Sequence, residues 1–347
     1  MTIDPITLAR QLIDIPSVTG AEHHVAVTLE EILGNLGFEV VRQAVEGDRF
    51  NLFAHATEHP RVVFSSHLDT VPPHIGASED AQYLYGRGAC DAKGIIAAMV
   101  AAGSRLLEGG QRDIGFLLVV GEETDSIGAR TANRELTGFG TEYLINGEPT
   151  ENRYVSATKG ALTAVIRFEG VAGHSAYPER GASAISRMAE AIVAINSRDW
   201  GSSPGLGATT VNVGVVRGGE KPNVIAASAE CELIFRTAGD PAPVRESLVD
   251  LIGRYHGHFV RDHGNPPMYM SFPEDAEAAP ASFNTDVAHL AGFGTPILFG
   301  PGSILDAHRP DEKIRKSEII SAVETYRDLG GGLLDGRTRL RRLGTVR

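Results

Sequence analysis

Three apolar segments of the sequence each end in a short turn that carries acidic residues or histidine. The turns are Ser66-His67-Leu68-Asp69, Gly121-Glu122-Glu123-Thr124 and Gly147-Glu148-Pro149-Thr150, and each follows a run typical of a buried strand. Because the carboxyl ends of parallel strands share one edge of a sheet, such strands would bring these turns together where ligands bind. The feature therefore predicts an α/β domain with a mostly parallel sheet.

The rest of the sequence indicates how this sheet is covered and interrupted. Helical patterns at 6–13, 22–36 and 94–107 alternate with strand patterns at 38–45, 51–55, 61–66, 115–120 and 141–145. A β-α-β-β-α order follows at 160–169, 182–196, 209–216, 224–236 and 241–255, which predicts a ferredoxin-like unit with an open sheet edge. A strand at 296–300 and a helix at 317–334 then return to the first pattern. We expect a three-layer α/β catalytic domain at 1–157 and 269–347, interrupted at 158–268 by an α+β domain.

Composition excludes several kinds of partner and site. The cysteines, Cys90 and Cys231, provide neither a disulfide framework nor a thiolate cluster, which favours a reducing cytoplasm. A formal net charge of −12 argues against nucleic acid as a partner. The N-terminus has no signal-peptide pattern, and the apolar run at 95–102 is too short to span a membrane. We expect a cytoplasmic protein with no nucleic-acid or membrane partner.

Two further motifs add candidate metal ligands. Gly86-Arg87-Gly88-Ala89-Cys90-Asp91-Ala92-Lys93-Gly94 precedes a helix but lacks the Gly-Lys-Ser/Thr of a phosphate loop, and Asp91 is either a ligand or a plain helix cap. His308 follows the glycine-rich turn at 300–303. Histidines with carboxylates suit zinc or a similar divalent metal. A pair of such ions can polarise a carbonyl, and a further carboxylate would then move the proton of the attacking water.

These strings, together with Gly173-His174-Ser175-Ala176, resemble those of the dinuclear-zinc aminoacylase and exopeptidase family. The family includes acetylornithine deacetylase, succinyl-diaminopimelate desuccinylase and carboxypeptidase G, and the resemblance extends from about residue 3 to 334. The segment from Gly300 to Glu312 is most similar to acetylornithine deacetylase. The resemblance implies a zinc-exopeptidase-like catalytic domain whose inserted domain serves for dimerisation or as a lid.

The resemblance also implies a set of metal ligands. His67 and Glu148 would hold one ion, Glu123 and His308 would hold the other, and Asp91 would bridge the two. Two divalent ions are expected, with zinc as the first choice and cobalt or manganese left open.

Catalytic roles around these ligands follow from the same resemblance. Glu122 would be the general base, and Asp69 would orient His67, whose side chain points the same way from a strand. A cis peptide is implied between Asp91 and Ala92, where many family members have a bulkier residue than alanine.

Substrate contacts are implied at five positions. His174 would stabilise the oxyanion with help from Asn223, and Arg236 would bind the α-carboxylate of the substrate. Gly302 and Ser303 in the glycine-rich turn are further candidates.

The function expected from this set is hydrolysis of a small N-acyl amino acid, with N-acetylornithine as the first choice. N-acetylcitrulline, succinyl-diaminopimelate, other acylated amino acids and dipeptides stay open, and a homodimer through the inserted domain is expected. Other functional classes find less support. A catalytically silent binding protein would lack Glu122 or a ligand, a mononuclear aminopeptidase would need a His-Glu-x-x-His helix, and neither Cys90 nor Lys93 has the setting of a nucleophile.

Overall fold

The computed structural model describes residues 3–342, which form two compact units. Within this range the first unit comprises 3–156, 269–279 and 285–342, and the second comprises 157–268 and 280–284. The domain boundaries 1–157, 158–268 and 269–347 stay a prediction, and residues 1, 2 and 343–347 lie outside the described residues.

Aspartate caps mark the start of two of the helices. Within residues 3–342 the α-helices are α1 (Pro5–Asp14), α2 (His23–Asn35), α3 (Gly94–Glu108), α4 (Ile127–Glu135), α5 (Ala184–Ser197), α6 (Pro241–Gly253) and α7 (Lys316–Leu334). The Asp4 carboxylate accepts a hydrogen bond from the backbone N–H of Thr7 at 2.9 Å, and Asp240 caps α6 in the same way. A proline follows each aspartate at the first helical position, where its fixed φ favours the helix. The six predicted helices are confirmed, and α4 is an addition that the patterns did not indicate.

The strands fall into three groups along the chain. Up to residue 158 they are β1 (Glu39–Glu46), β2 (Arg49–His55), β3 (Val62–His67), β4 (Ser78–Glu79), β5 (Tyr83–Tyr85), β6 (Ile114–Val119), β7 (Tyr143–Asn146) and β8 (Tyr154–Thr158). They continue with β9 (Gly160–Glu169), β10 (Gly173–His174), β11 (Ser202–Ser203), β12 (Gly207–Ala208), β13 (Thr210–Gly218), β14 (Val224–Ile225), β15 (Ser228–Thr237) and β16 (Gly257–Asn265). The last are β17 (Met268–Tyr269), β18 (Ser271–Pro273), β19 (Ala278–Ala281), β20 (Thr295–Leu298), β21 (Lys313–Arg315) and β22 (Leu340–Arg342).

The first unit is built on a mixed sheet that includes, in this order, β1-β2-β6-β3-β7-β20. Strands β6, β3, β7 and β20 are mutually parallel, whereas β1 and β2 run antiparallel to their neighbours. The carboxyl ends of the four parallel strands therefore share one edge. The predicted α/β fold is confirmed.

Helices cover both faces of this sheet, which explains why β3 and β6 are buried along their whole length. Phe64 and Phe116 pack in the core formed with α1, α2, α3 and α7, while Val63 and Leu117 pack in a second core with α4. The alternation follows from the period of two in a strand. A Cβ at Gly103 would lie 2.5 Å from Cζ of Phe116, so glycine permits the close approach of α3. Among residues 3–342, no helix combines the length and apolar character needed to cross a bilayer.

The second unit contains an antiparallel sheet in the order β13-β15-β9-β16, with α5 and α6 packed on one face. This is the ferredoxin-like arrangement that the pattern predicts. The prediction is wrong in one detail and incomplete in another. The strand predicted at 224–236 is divided, because Val224–Ile225 pairs with Gly173–His174 while Ser228–Thr237 joins the main sheet. Residues 257–265, to which the sequence patterns assigned no element, form the fourth strand, β16.

Candidate metal centre

Donor groups from three separate loops converge at the carboxyl edge of the first unit's sheet. His67 ends β3, Asp91 precedes α3, and Glu123 follows β6. One potential ligand atom from each lies within 4.8 Å of the others. The Nε2 atom of His67 is 2.9 Å from Oδ1 of Asp91. The predicted convergence of strand ends therefore accounts for His67 and Glu123, and the loop before α3 adds Asp91. The peptide bond between Asp91 and Ala92 is cis, as the resemblance implied.

His308 completes a chain of contacts across Asp91. Its Nε2 atom is 3.1 Å from the Glu123 carboxylate and 3.3 Å from Oδ2 of Asp91. Asp91 thus meets one histidine with each of its carboxylate oxygens. A carboxylate placed between two nitrogen donors would suit a site for two divalent cations.

Glu148 supplies an additional donor without a protein partner. Its side chain is buried, and its Oε1 atom has no hydrogen-bond partner among the described residues. An orphaned buried carboxylate oxygen is costly unless a cation or proton satisfies it. The nearby charges that act on Glu148 include those of His67 and Asp91. Two imidazoles and three carboxylates therefore fit divalent metal ions of the zinc type.

Asp69 organises the loop that carries the two adjacent glutamates. Its Oδ1 atom accepts hydrogen bonds from the backbone N–H groups of Gly121 and Glu122 at 3.0 and 3.1 Å. Its Oδ2 atom accepts from the N–H of Glu123 at 3.2 Å and from the hydroxyl of Thr19 at 2.8 Å. Because three of these four hydrogen bonds come from the loop of Glu122 and Glu123, Asp69 is suited to placing both glutamates.

His67 is oriented mainly by the main chain of Asp69. Its Nδ1 atom is 3.0 Å from the Asp69 carbonyl oxygen and 3.6 Å from Oδ1 of the same residue. The hydrogen bond to the carbonyl leaves Nε2 directed toward Asp91. The expected role of the Asp69 carboxylate as the orienting group stays a prediction.

The density of acidic groups shifts the pKa values of the site. Burial raises the pKa of Glu122 well above its usual range, and repulsion from Glu148 raises it further. Burial likewise raises the pKa of Glu148. Hydrogen bonds to Asp91 and Glu123 raise the pKa of His308 to about 10. These groups hold protons that a divalent cation would displace, so cation binding here is coupled to proton release.

Asp286 is a buried carboxylate near the site that the sequence patterns did not identify. Among residues 3–342, neither of its oxygens has a hydrogen-bond partner at ordinary distance, although an interaction with the Ser126 side chain favours the ionised form. Burial raises the pKa of Asp286 to about 7, and its charge raises the pKa values of Glu122 and Glu148. It follows Thr285 at a helical turn and ends no apolar strand, so its sequence setting indicates only a cap.

The glycine-rich turn is held against the turn that carries Glu148. The Ser303 hydroxyl donates to the Glu151 carboxylate at 2.8 Å, and the N–H of Gly302 donates to Glu318 at 3.1 Å. Gly302 has φ +85°, and a Cβ there would lie 2.7 Å from Cβ of Cys90, so only glycine suits this position. The proposed contacts of Gly302 and Ser303 with substrate stay predictions.

The side chains considered as alternative nucleophiles are buried structural groups. Burial raises the pKa of the Cys90 thiol well above its usual range, which disfavours a thiolate. The Nζ atom of Lys93 donates to the Ile15 carbonyl at 2.6 Å, and burial lowers the pKa of this lysine to about 8. Both residues support the loop around Asp91.

The second unit brings His174 and Asn223 together. Gly173–His174 pairs with Val224–Ile225, and the N–H of Ser175 donates to the Asn223 carbonyl at 3.1 Å. The Nδ1 atom of the exposed His174 ring accepts from the N–H of Ala176 at 3.2 Å, so the proton of the neutral ring is on Nε2. Arg236 lies in a different sheet, on β15 between β9 and β13. The roles of these three residues stay predictions.

The chain is similar to known proteins along most of its length. A family model described as Peptidase family M20/M25/M40 matches residues 63–330. A Peptidase M20 domain-containing protein of Schizosaccharomyces pombe is 33% identical, over 93% of this chain and 83% of that protein. An Aspergillus flavus protein named "Probable carboxypeptidase" is 34% identical, over 93% and 86% of the two chains. The fold matches that of a dinuclear metal-binding peptidase of the M20 family from Bacillus subtilis, with a TM-score of 0.66, 14% identity, and coverage of 95% and 98%.

Proposed function

The chain belongs to the M20/M25/M40 peptidase family, and from this we propose that it is a dinuclear metal-dependent hydrolase of small N-acylated amino acids or short peptides. The bond cut would be the amide that joins an acyl or aminoacyl group to an amino acid with a free α-carboxylate. The observation that carries the proposal is the pair of contacts made by the Asp91 carboxylate. Its two oxygens lie 2.9 Å from His67 and 3.3 Å from His308. A structural aspartate would be expected to make main-chain contacts instead.

The ion-binding roles in this proposal follow the contacts of the cluster. His67 and Glu148 would hold one ion, Glu123 and His308 the other, and Asp91 would bridge them. Bound ions would polarise the scissile carbonyl and lower the pKa of a water molecule. Zinc is the first choice, and cobalt or manganese would suit the same donors.

Proton transfer is assigned to Glu122. Its backbone is fixed by the Asp69 carboxylate, while its half-buried side chain lies among Glu148, Glu123 and His67, the charges that act on its pKa. A carboxylate whose pKa is raised by burial can take a proton from the attacking water and return it to the leaving amine near neutral pH. Asp69 would therefore act on catalysis by positioning Glu122 as well as by contacting His67.

Substrate recognition is assigned to the second unit and the glycine-rich turn. The Nε2–H of His174 is a donor of the kind that stabilises an oxyanion, and Asn223 directly precedes the strand that pairs with Gly173–His174. Arg236 would bind the α-carboxylate of the substrate as a fork of two donors. We further propose that the unit forms a homodimer through β13, which is an edge strand of its sheet.

Two substrate classes are supported by different observations. The name of the A. flavus relative favours removal of a C-terminal amino acid from a peptide, with dipeptides as the simplest case. The similarity of residues 300–312 to acetylornithine deacetylase favours N-acetylornithine, followed by N-acetylcitrulline and succinyl-diaminopimelate. Both classes have the same reacting amide and the same free α-carboxylate.

A substrate panel tests the proposal. Protein reconstituted with zinc, cobalt or manganese would be assayed against N-acyl amino acids and dipeptides, alongside Glu122→Gln and the control Glu142→Gln, whose side chain pairs with Arg61. We expect turnover of at least one panel member and a fall in kcat of about 10²–10⁴-fold for Glu122→Gln alone, with unchanged metal content. Failure of all three metals to support amide hydrolysis would refute the enzymatic function. Near-normal turnover by Glu122→Gln would refute only the assignment of the base.

A further inference from the structure

A buried ion pair joins the two loops that carry Asp91 and His308. The Nη1 atom of Arg87 donates to Oε2 of Glu312 at 2.6 Å, and the side chains of Arg87 and Glu312 are 3% and 0% exposed. The partners are 225 positions apart in the sequence, and neither belongs to the donor set of the metal centre. Their contact therefore depends on the tertiary fold and not on local structure.

Each partner also holds the main chain beside a metal ligand. The Oε1 atom of Glu312 accepts a hydrogen bond from the N–H of Cys90, the residue before Asp91, at 3.3 Å. The Nη1 atom of Arg87 donates to the carbonyl of Arg309, the residue after His308, at 3.1 Å. The ion pair thus crosses from one loop to the other and holds each loop one residue from its ligand.

Additional contacts of Arg87 and Glu312 anchor the pair to rigid parts of the unit. The N–H of Arg87 donates to the Ile75 carbonyl at 2.9 Å, and its Nε atom donates to the Pro73 carbonyl at 3.3 Å. The carbonyl of Glu312 accepts from the N–H of Gly86 at 3.0 Å, next to the paired strands β5 and β21. Strand pairing already keeps the loops adjacent, so the buried charges are not needed for proximity alone.

A buried ion pair is expensive to desolvate and is often replaceable by apolar side chains without loss of stability. Its best-attested use is to specify one arrangement among several compact ones. Here the arrangement specified is the orientation of the Cys90 amide and the Arg309 carbonyl. These two groups set the backbone on which the carboxylate of Asp91 and the imidazole of His308 are carried.

We propose that Arg87 and Glu312 are positioning residues that set the spacing between Asp91 and His308 and thereby the affinity for one of the two metal ions. The proposal rests on the proposed function only in taking Asp91 and His308 as donors. Groups behind metal ligands typically change metal affinity by about 10–100-fold when they are removed. The ion that depends on His308 is expected to be affected more than the ion held by His67 and Glu148.

Cobalt(II) titration of the metal-free protein in competition with a chelator tests this inference without using activity. Wild type would be compared with Glu312→Gln and with the double variant Arg87→Met/Glu312→Leu, which replaces the ion pair by apolar groups of similar size. The control is Leu329→Ala, which removes buried side-chain volume from the core contributed by α7. All titrations would be run well below the unfolding temperature of each variant. We expect one cobalt equivalent to bind about 10–100-fold more weakly in both ion-pair variants and to be unchanged in Leu329→Ala.

Two outcomes would overturn the inference. In the first, both equivalents bind to the ion-pair variants as they do to wild type. In the second, Leu329→Ala loses cobalt affinity to the same extent, which would make the effect one of general stability. If Glu312→Gln fails to fold, Arg87→Lys and the apolar double variant carry the same comparison. Normal cobalt binding by wild type with no turnover of any amide would count against the proposed function and leave this inference intact.

Discussion

The two units of the protein use their strands in opposite ways. In the first unit β3 and β6 are buried on both faces, so charged residues can stand only where the strands end. In the second unit β15 alternates buried and partly exposed residues, and Arg236 lies on the face away from the apolar core. A strand covered on both sides therefore concentrates polar chemistry at one edge, whereas a half-covered strand distributes it along a face.

The candidate residues of the two units also differ in how firmly they are held. The Asp69 carboxylate accepts four hydrogen bonds, three of them from the loop of Glu122 and Glu123. His174 is exposed on a two-residue strand, and its ring is oriented by a hydrogen bond from the N–H of Ala176 and an edge contact with the Tyr177 ring. Preorganised groups suit ion binding, and exposed donors suit contacts made only when substrate is present. Substitutions in the two units should therefore separate metal affinity from rate.

The largest effect is expected from Asp91→Ala in the first unit. Removing the carboxylate takes away the group between His67 and His308, so both ions should lose a donor. We expect a fall in kcat/KM of about 10³-fold or more, beyond the 10–100-fold typical of groups behind the ligands, with loss of metal measured by elemental analysis. The control is Glu230→Ala on β15, which should retain metal and activity. An Asp91→Ala protein that retains its full metal content would show that metal affinity does not depend on this carboxylate of the first unit. The proposed separation of metal affinity and rate between the two units would then be wrong.

His174→Ala should separate rate from metal binding. Loss of an oxyanion donor typically lowers kcat by about 10²–10³-fold. Because the ring is exposed and belongs to the other unit, metal content and unfolding temperature should stay unchanged. The neighbouring exposed Tyr177 provides the control as Tyr177→Phe. A His174→Ala variant with wild-type kcat would remove His174 from the proposed mechanism.

The sequence was sufficient to predict the strand ends because their information is local. An apolar run followed by a charged turn indicates both the strand and the edge where it ends, which is why His67, Glu123 and Glu148 could be proposed together. The motif order then added Asp91 and His308. The alternation of strands and helices also predicted the layers of the first unit and the ferredoxin-like pattern of the second.

The features that escaped prediction depend on tertiary contacts. Asp286 follows no apolar strand, and the Arg87–Glu312 pair joins loops 225 positions apart. The apolar pattern also continues through Ala226 and Ala227, so it gave no sign that β14 pairs with β10 while β15 joins the main sheet. Local periodicity describes an element's faces but does not identify its partner.

Asp286→Asn should change how the stability of the metal-free protein depends on pH. Burial raises the pKa of Asp286 to about 7, above the unfolded value of about 3.9. Between pH 4 and 7 the unfolded chain releases this proton while the folded chain retains it, so the free energy of unfolding falls as pH rises. In the Asp286→Asn variant, the fall in the free energy of unfolding between pH 4 and 7 should be smaller by on the order of 2–4 kcal/mol. The substitution also removes a negative charge that raises the pKa values of Glu122 and Glu148.

Urea unfolding in the presence of chelator, at pH 5 and pH 8, measures the Asp286 effect. The exposed residue Asp250 on α6 provides the control as Asp250→Asn, which should parallel wild type. Equal pH dependence in Asp286→Asn and wild type would show that the buried carboxylate is satisfied in solution. The first unit would then tolerate charge inside its layers and not only at strand ends.

The smallest change in stability is expected at β13, the edge strand of the second unit. It tests whether the exposed strands of that unit serve for contacts with another chain. Val216 on β13 is 56% exposed, so Val216→Lys should alter the free energy of unfolding by no more than about 0.5 kcal/mol. A lysine on an edge strand opposes pairing with another chain, so sedimentation should shift from dimer to monomer if β13 forms the proposed interface. Val249→Lys on α6, at a residue 42% exposed, should leave the dimer intact. A monomeric wild type would refute the homodimer, and a dimeric Val216→Lys would move the interface from the sheet edge to another surface of the unit.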